Sequence, residues 1–165
     1  IMSHPYCFGP NCYICVRNLP TKKQDAKIRE ILKNIQDLDY FAQEVWCRAL
    51  REELAPESDI LSGNKDPVNP KVCERWVNLG IIDAVMKIIP NGGVGAPARY
   101  HALNALTTLT DDPKSRNIVL NTPNLYNIIL EQLSSQFVTM KLRAATLLMS
   151  FYIGNYTKEC LFLLT

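Results

Sequence analysis

Ala102-Leu-Asn-Ala-Leu-Thr-Thr-Leu-Thr-Asp-Asp-Pro-Lys-Ser-Arg-Asn-Ile-Val119 returns in altered form as Ala144-Ala-Thr-Leu-Leu-Met-Ser-Phe-Tyr-Ile-Gly-Asn-Tyr-Thr-Lys-Glu-Cys-Leu161. From Ala102 to Ala144 the offset is 42 residues, and the same shift pairs Leu106 with Leu148, Leu109 with Phe151 and Ile118 with Cys160. Upstream, Ile82 pairs with Leu125 and Val85 with Ile128 at an offset of 43. A period in this range is the signature of a helical solenoid with two or three helices per unit.

Outward from this repeat the pattern stays helical. Ile28, Ile31, Leu32 and Ile35 recur at three- and four-residue spacing, which predicts an amphipathic helix. A second helix runs from about Leu38 to Ala55-Pro56, with Phe41, Val45, Trp46 and Ala49 inward. Residues 56–70 are polar and rich in Pro, Gly and Asn, and read as a loop. Beyond Lys71 the punctuation is Gly80, Pro90-Asn-Gly-Gly, Asp111-Asp-Pro, Asn121-Thr-Pro and Gly154-Asn. Alternating strand patterns bounded by two-residue turns are missing, so an all-α fold is expected. The first twenty residues hold Pro5, Gly9, Pro10 and Pro20 and predict an irregular arm.

These units resemble armadillo repeats. Pro70 to Gly80 resembles the family's short first helix and its glycine stop, Ile81 to Ile89 the second helix, and Pro97 to Thr110 the third. The next unit runs from Asp112-Pro113 to Ile153-Gly154-Asn155. The resemblance implies a right-handed superhelical stack of helices (an α-solenoid) over residues 21–165. A degenerate first repeat would occupy 21–70, with Asp39 to Leu54 as its third helix, followed by repeats 70–112 and 112–155 and the start of another at 156–165. Because the last unit stops midway, and Ile1 precedes Met2 as a cloning remnant would, the chain reads as the N-terminal part of a larger protein.

The third helices of such repeats line a concave groove, and the resemblance places Arg48, Glu52, Asn104, Thr108, Thr146 and Ser150 there, flanked by His101 and Arg143. Peptide-gripping members of the family carry Asn near the end of the third helix and Trp one turn earlier. Here Thr108 and Ser150 hold the Asn positions, and Asn104 and Thr146 the Trp positions. An Asn amide both donates and accepts, whereas Thr and Ser offer one hydroxyl each. The expected activity is therefore non-enzymatic: a scaffold holding a peptide segment or helix of another protein. The alternative is a homo-oligomerisation or autoinhibitory domain of a cytoskeletal or signalling protein.

Composition agrees with a soluble chain: 47% of residues are hydrophobic and 21% charged, enough apolar surface for a core. The net charge of +2 gives no reason to expect a nucleic-acid partner, and no apolar run reaches the ~20 residues of a transmembrane helix. With no secretory signal at the start, the six cysteines are expected as thiols in the cytoplasm or nucleus. His4, Cys7, Cys12 and Cys15 could surround one tetrahedral zinc, which makes a zinc-binding N-terminal module a further alternative. Loose thiols, or Cys7 and Phe8 packed on the first helices, account for the same residues, and no cofactor is the preferred expectation. Asn91-Gly-Gly-Val-Gly joins two helices and so lacks the strand-to-helix setting of a phosphate loop. Asp111-Asp112 before Pro113 reads as a helix cap, and Trp46 and Trp76 as core anchors.

Overall fold

The computed structural model describes residues 9–54, 68–90 and 95–162, with the backbone alone for Pro10 and residues 154–162. Among the described residues it is all-helical, with α1 (Tyr13–Arg17), α2 (Thr21–Lys33), α3 (Tyr40–Leu54), α4 (Pro70–Leu79), α5 (Ile81–Ile88), α6 (Ala96–Leu109), α7 (Pro113–Leu120), α8 (Leu125–Leu133) and α9 (Val138–Phe162). Two single 3-10 turns, Gly9–Asn11 and Ile35–Asp37, complete the order. No helix among the described residues is long and apolar enough to cross a membrane.

The helix boundaries follow from local chemistry. Asp39 opens α3 by accepting the Ala42 amide at 2.9 Å, and Asn69 opens α4 by accepting that of Lys71 at 3.0 Å. Asp112 caps α7 through its Oδ2, 2.8 Å from the Ser115 amide, with Pro113 directly after it. In each case a side-chain oxygen satisfies one of the amides that a helix start leaves unbonded. Gly80 stops α4 in a left-handed conformation (φ 95°), which lets α5 begin at once in a new direction. At the start of α8 the same region is taken by Asn124 (φ 63°), one of the few side chains that tolerate it.

Helices three apart in chain order lie side by side: α3 on α6, α6 on α9, α2 on α5, and α4 on α7. The α3, α6 and α9 members run in the same direction. Tyr40, at the start of α3, lies against Gly95, and further along Arg48 and Arg51 act electrostatically on His101 of α6. Tyr100 of α6 and Thr110, the residue just after its end, then meet Arg143 and Ser150 of α9 in the same order. One core runs through the described elements, from Val16 through Trp46, Leu50, Trp76, Ile88 and Leu106 to Leu147. Ile82, Val85, Leu125 and Ile128, the positions paired by the sequence repeat, are all in it.

Three expectations differ from the structure. Phe41, expected inward on α3, is 53% exposed, because it lies on the side of the first turn away from the buried Gln43, Trp46 and Leu50. The arm is not irregular throughout, since Tyr13–Arg17 is helical with Val16 buried. Trp46 draws it in, donating its indole N–H to the Asn11 carbonyl at 2.7 Å while Tyr13 packs edge-on at 5.2 Å. The expected stop at Gly154-Asn155 is also missing, because α9 continues for 25 residues to Phe162. One interior glycine costs a helix only about 1 kcal/mol relative to alanine, too little to end it without a proline or a cap.

Candidate protein-binding face

The eight residues placed in the groove by the sequence lie on the three parallel helices. On α6, His101, Asn104 and Thr108 are spaced by three and four residues and share one side. Arg143, Thr146 and Ser150 repeat that spacing on α9, and Arg48 and Glu52 are one turn apart on α3. Proximity between helices is shown by the effect of Arg48 on His101 and by Arg143, which sits 5.7 Å over the Tyr100 ring.

Their accessibility is uneven. Arg48 and Glu52 are exposed and joined by an ion pair at 2.8 Å. His101, Arg143, Thr146 and Ser150 are half-buried. Asn104 and Thr108 are nearly closed, at 7% and 9% exposure, so they form the floor of this face and not its accessible edge. The hydroxyls of Thr108 and Thr146 each donate to the carbonyl four residues back at 2.9 Å, those of Asn104 and Leu142. That use consumes the single hydroxyl proton and leaves lone pairs able to accept from a ligand N–H. Ser150 lies 3.2 Å from the Thr110 hydroxyl, a bond that ties α9 to the end of α6.

Arg51 belongs to the same neighbourhood, although its setting in a mixed-sign run gave no sign of it. Its Nε and the Nδ1 of His101 are buried without a hydrogen-bond partner. Burial, followed by Arg51 and Arg48, holds the His101 imidazolium below the usual histidine pKa, so His101 is the neutral member of a basic neighbourhood. Glu44 and Glu52 oppose this shift in part.

Elsewhere the structure forms an open cleft of about 530 Å³ against α4, α5 and α7, lined by Val77, Ile82, Asp83, Asn117 and Ile118 among others. It lies on helices other than the α3–α6–α9 row, and it brings together none of the eight residues. Of the proposed zinc ligands, Cys12 is buried and Cys15 half-buried in the first helical turns, while His4 and Cys7 lie outside the described residues. The Asn91–Val94 part of the glycine-rich turn and most of the 56–70 loop also lie outside them.

Comparison with known proteins adds no relative. No protein-family model, curated protein or solved structure matches the chain. The functional reading rests on the chain's own geometry.

Proposed function

We propose that the chain is an armadillo-like, right-handed α-solenoid that serves as a non-enzymatic scaffold, holding a peptide segment or helix of a partner protein along α3, α6 and α9. The observation that carries this reading is the parallel row of these helices, which sets polar side chains at matching positions on an otherwise apolar framework. The two-repeat sequence period supports it, as does the packing of helices three apart. Arg48, Glu52, Arg143 and Thr146 form the accessible part of the face, offering charge and hydroxyl acceptors, while Asn104 and Thr108 shape its floor.

Substitution should therefore target the edge and spare the floor. A pull-down from cell lysate with wild type and with Arg48→Glu/Thr146→Arg, matched by circular dichroism, tests the proposal. A partner kept by wild type and lost by the folded variant supports the face as its binding site. If every retained protein binds both forms equally, the proposed face is wrong.

A further inference from the structure

The net charge of +2 is unevenly spread along the chain. Between Arg17 and Lys33 stand six Lys or Arg and two acids, a surplus of four that leaves the remainder of the molecule acidic. Both acids are already matched: Asp25 is paired with Arg75 at 2.8 Å, and Glu30 with Lys27 at 2.8 Å. Lys22, Lys23, Arg29 and Lys33 are exposed and form no ion pair with a described residue.

Helical spacing sets three of these cations in a line. Helix α2 buries Ile28, Ile31 and Leu32. Lys22, Arg29 and Lys33, with Ala26 between them, follow at four, three and four residues along the opposite side. The row is about 17 Å long. At its far end Lys87 Nζ donates to the Lys33 carbonyl at 2.9 Å, which adds another cation. The helix gains nothing from Lys22 and Lys23, because a cation in the first turn opposes its dipole.

Two branched apolar side chains stand clear of the core at the N-terminal end of this row: Ile14 is 50% exposed and Leu19 38%. They are held against the first turn of α2, since α1 packs on α2 and Gln24 Nε2 donates to the Arg17 carbonyl at 3.0 Å. A nucleic-acid backbone would answer the cations alone. A bilayer surface answers both features, its anionic headgroups meeting Lys and Arg while the boundary beneath them takes up apolar side chains. Shape agrees, because the outer side of a helix is convex and meets a flat surface. The open cleft lies elsewhere, against α4, α5 and α7.

We propose that α2, with Ile14 and Leu19 at its N-terminal end, docks on an anionic phospholipid surface, with Lys22, Lys23, Arg29 and Lys33 meeting the headgroups. The docking is peripheral, as no described helix is long and apolar enough to cross the bilayer. Helix α2 packs on α4 and α5, outside the α3–α6–α9 row, so this surface stands whether or not the polar face holds a partner.

Co-sedimentation of the whole chain with vesicles tests it, using phosphatidylcholine alone and phosphatidylcholine with about 30% phosphatidylserine. Each Lys or Arg at an anionic surface contributes about fivefold in affinity. The anionic vesicles should therefore bind at least about a hundredfold more tightly at low salt, and much less so in about 0.5 M salt. Lys22→Glu/Arg29→Glu/Lys33→Glu should lose at least about a hundredfold. Alanine at the same three positions, a milder change should the first variant melt early, should lose at least about tenfold. Ile14→Ser/Leu19→Ser should bind about threefold or more weakly with its salt dependence kept, and Arg48→Glu/Thr146→Arg as wild type does. Equal binding to both vesicles, or unaltered binding by either row variant, overturns the proposal. So does unaltered binding by Ile14→Ser/Leu19→Ser, or a polyglutamate peptide held as tightly as the anionic vesicles, because the row would then read acidic chains and not a membrane.

Discussion

Replacing Glu53 with alanine should cost far more than its half-buried position on α3 suggests. Its carboxylate joins three elements: Oε2 accepts the Trp76 indole N–H of α4 at 3.0 Å, and Oε1 accepts the Tyr13 hydroxyl of α1. Trp76 is fully buried, so without Glu53 its N–H would be left unpaired away from water, at a cost of about 2 kcal/mol. Tyr13 is only half-buried and its hydroxyl can turn to solvent, which limits its share to about 1 kcal/mol. The sum is about 3 kcal/mol, a fall in Tm of about 9 °C for a chain of this size. Urea unfolding followed by tryptophan fluorescence measures it directly. Glu53→Gln keeps one acceptor oxygen and should lose about half as much. In a double-mutant cycle, Tyr13→Phe should cost about 1 kcal/mol less in the Glu53→Ala background than in wild type. A Glu53→Ala protein within about 0.5 kcal/mol of wild type, or strict additivity in the cycle, would refute the account.

Further outcomes follow from burial and backbone geometry. Burial pushes the Cys47 thiol up to about 12 and, with help from Asp112 and Asp111, that of Cys73 to about 11. At pH 8 both should therefore alkylate with iodoacetamide about a hundredfold or more slowly in the native protein than in urea, as read by mass spectrometry. Equal native and unfolded rates at Cys47 would contradict the packing. These thiols ionise more readily when unfolded, so the stability they support holds below pH 9 and declines as pH rises towards 11 and 12. His101 has the opposite sign. Its folded pKa lies below 6.5, so its contribution is present above that value and is lost as pH falls through it. Stability measured at pH 5 and pH 7.5 should fall less in His101→Gln than in wild type, and an unchanged difference would count against it. Gly80→Ala meets no neighbouring atom, so its expected loss of about 1–2 kcal/mol is purely the left-handed backbone. Gly80→Asn should recover part of that loss, and equal stability of the Ala and Asn variants would argue against this cause.

Much of this protein could be read directly from residue order. Local rules govern helix periodicity, the Asp112-Pro113 start and the Gly80 stop, and the 42-residue echo between Ala102 and Ala144 needs no coordinates to be seen. The tryptophans also behave as an apolar pattern says they should. Each of these features depends on residues within a turn or two of one another, or on direct repetition.

The contents of the proposed binding face were only half legible. Helical spacing placed Asn104 and Thr108 on the same side as His101, but could not show them nearly closed, because that depends on how closely α3 and α9 approach α6. Arg51 was passed over for the same reason: its buried Nε acquires meaning only opposite His101, 50 positions away in the chain. In the sequence Glu53 is one more charge after Arg51 and Glu52, yet its partners lie 40 positions before it and 23 after it. The exposure of Val138, Leu142, Met149 and Tyr152 on α9 was hidden as well, since an apolar row at helical spacing reads alike whether it is covered or bare. Sequence alone determined where the helices begin and what repeats. Tertiary structure decided which polar atoms are buried and which apolar face is left uncovered, because burial is set by the neighbours that packing brings across the chain.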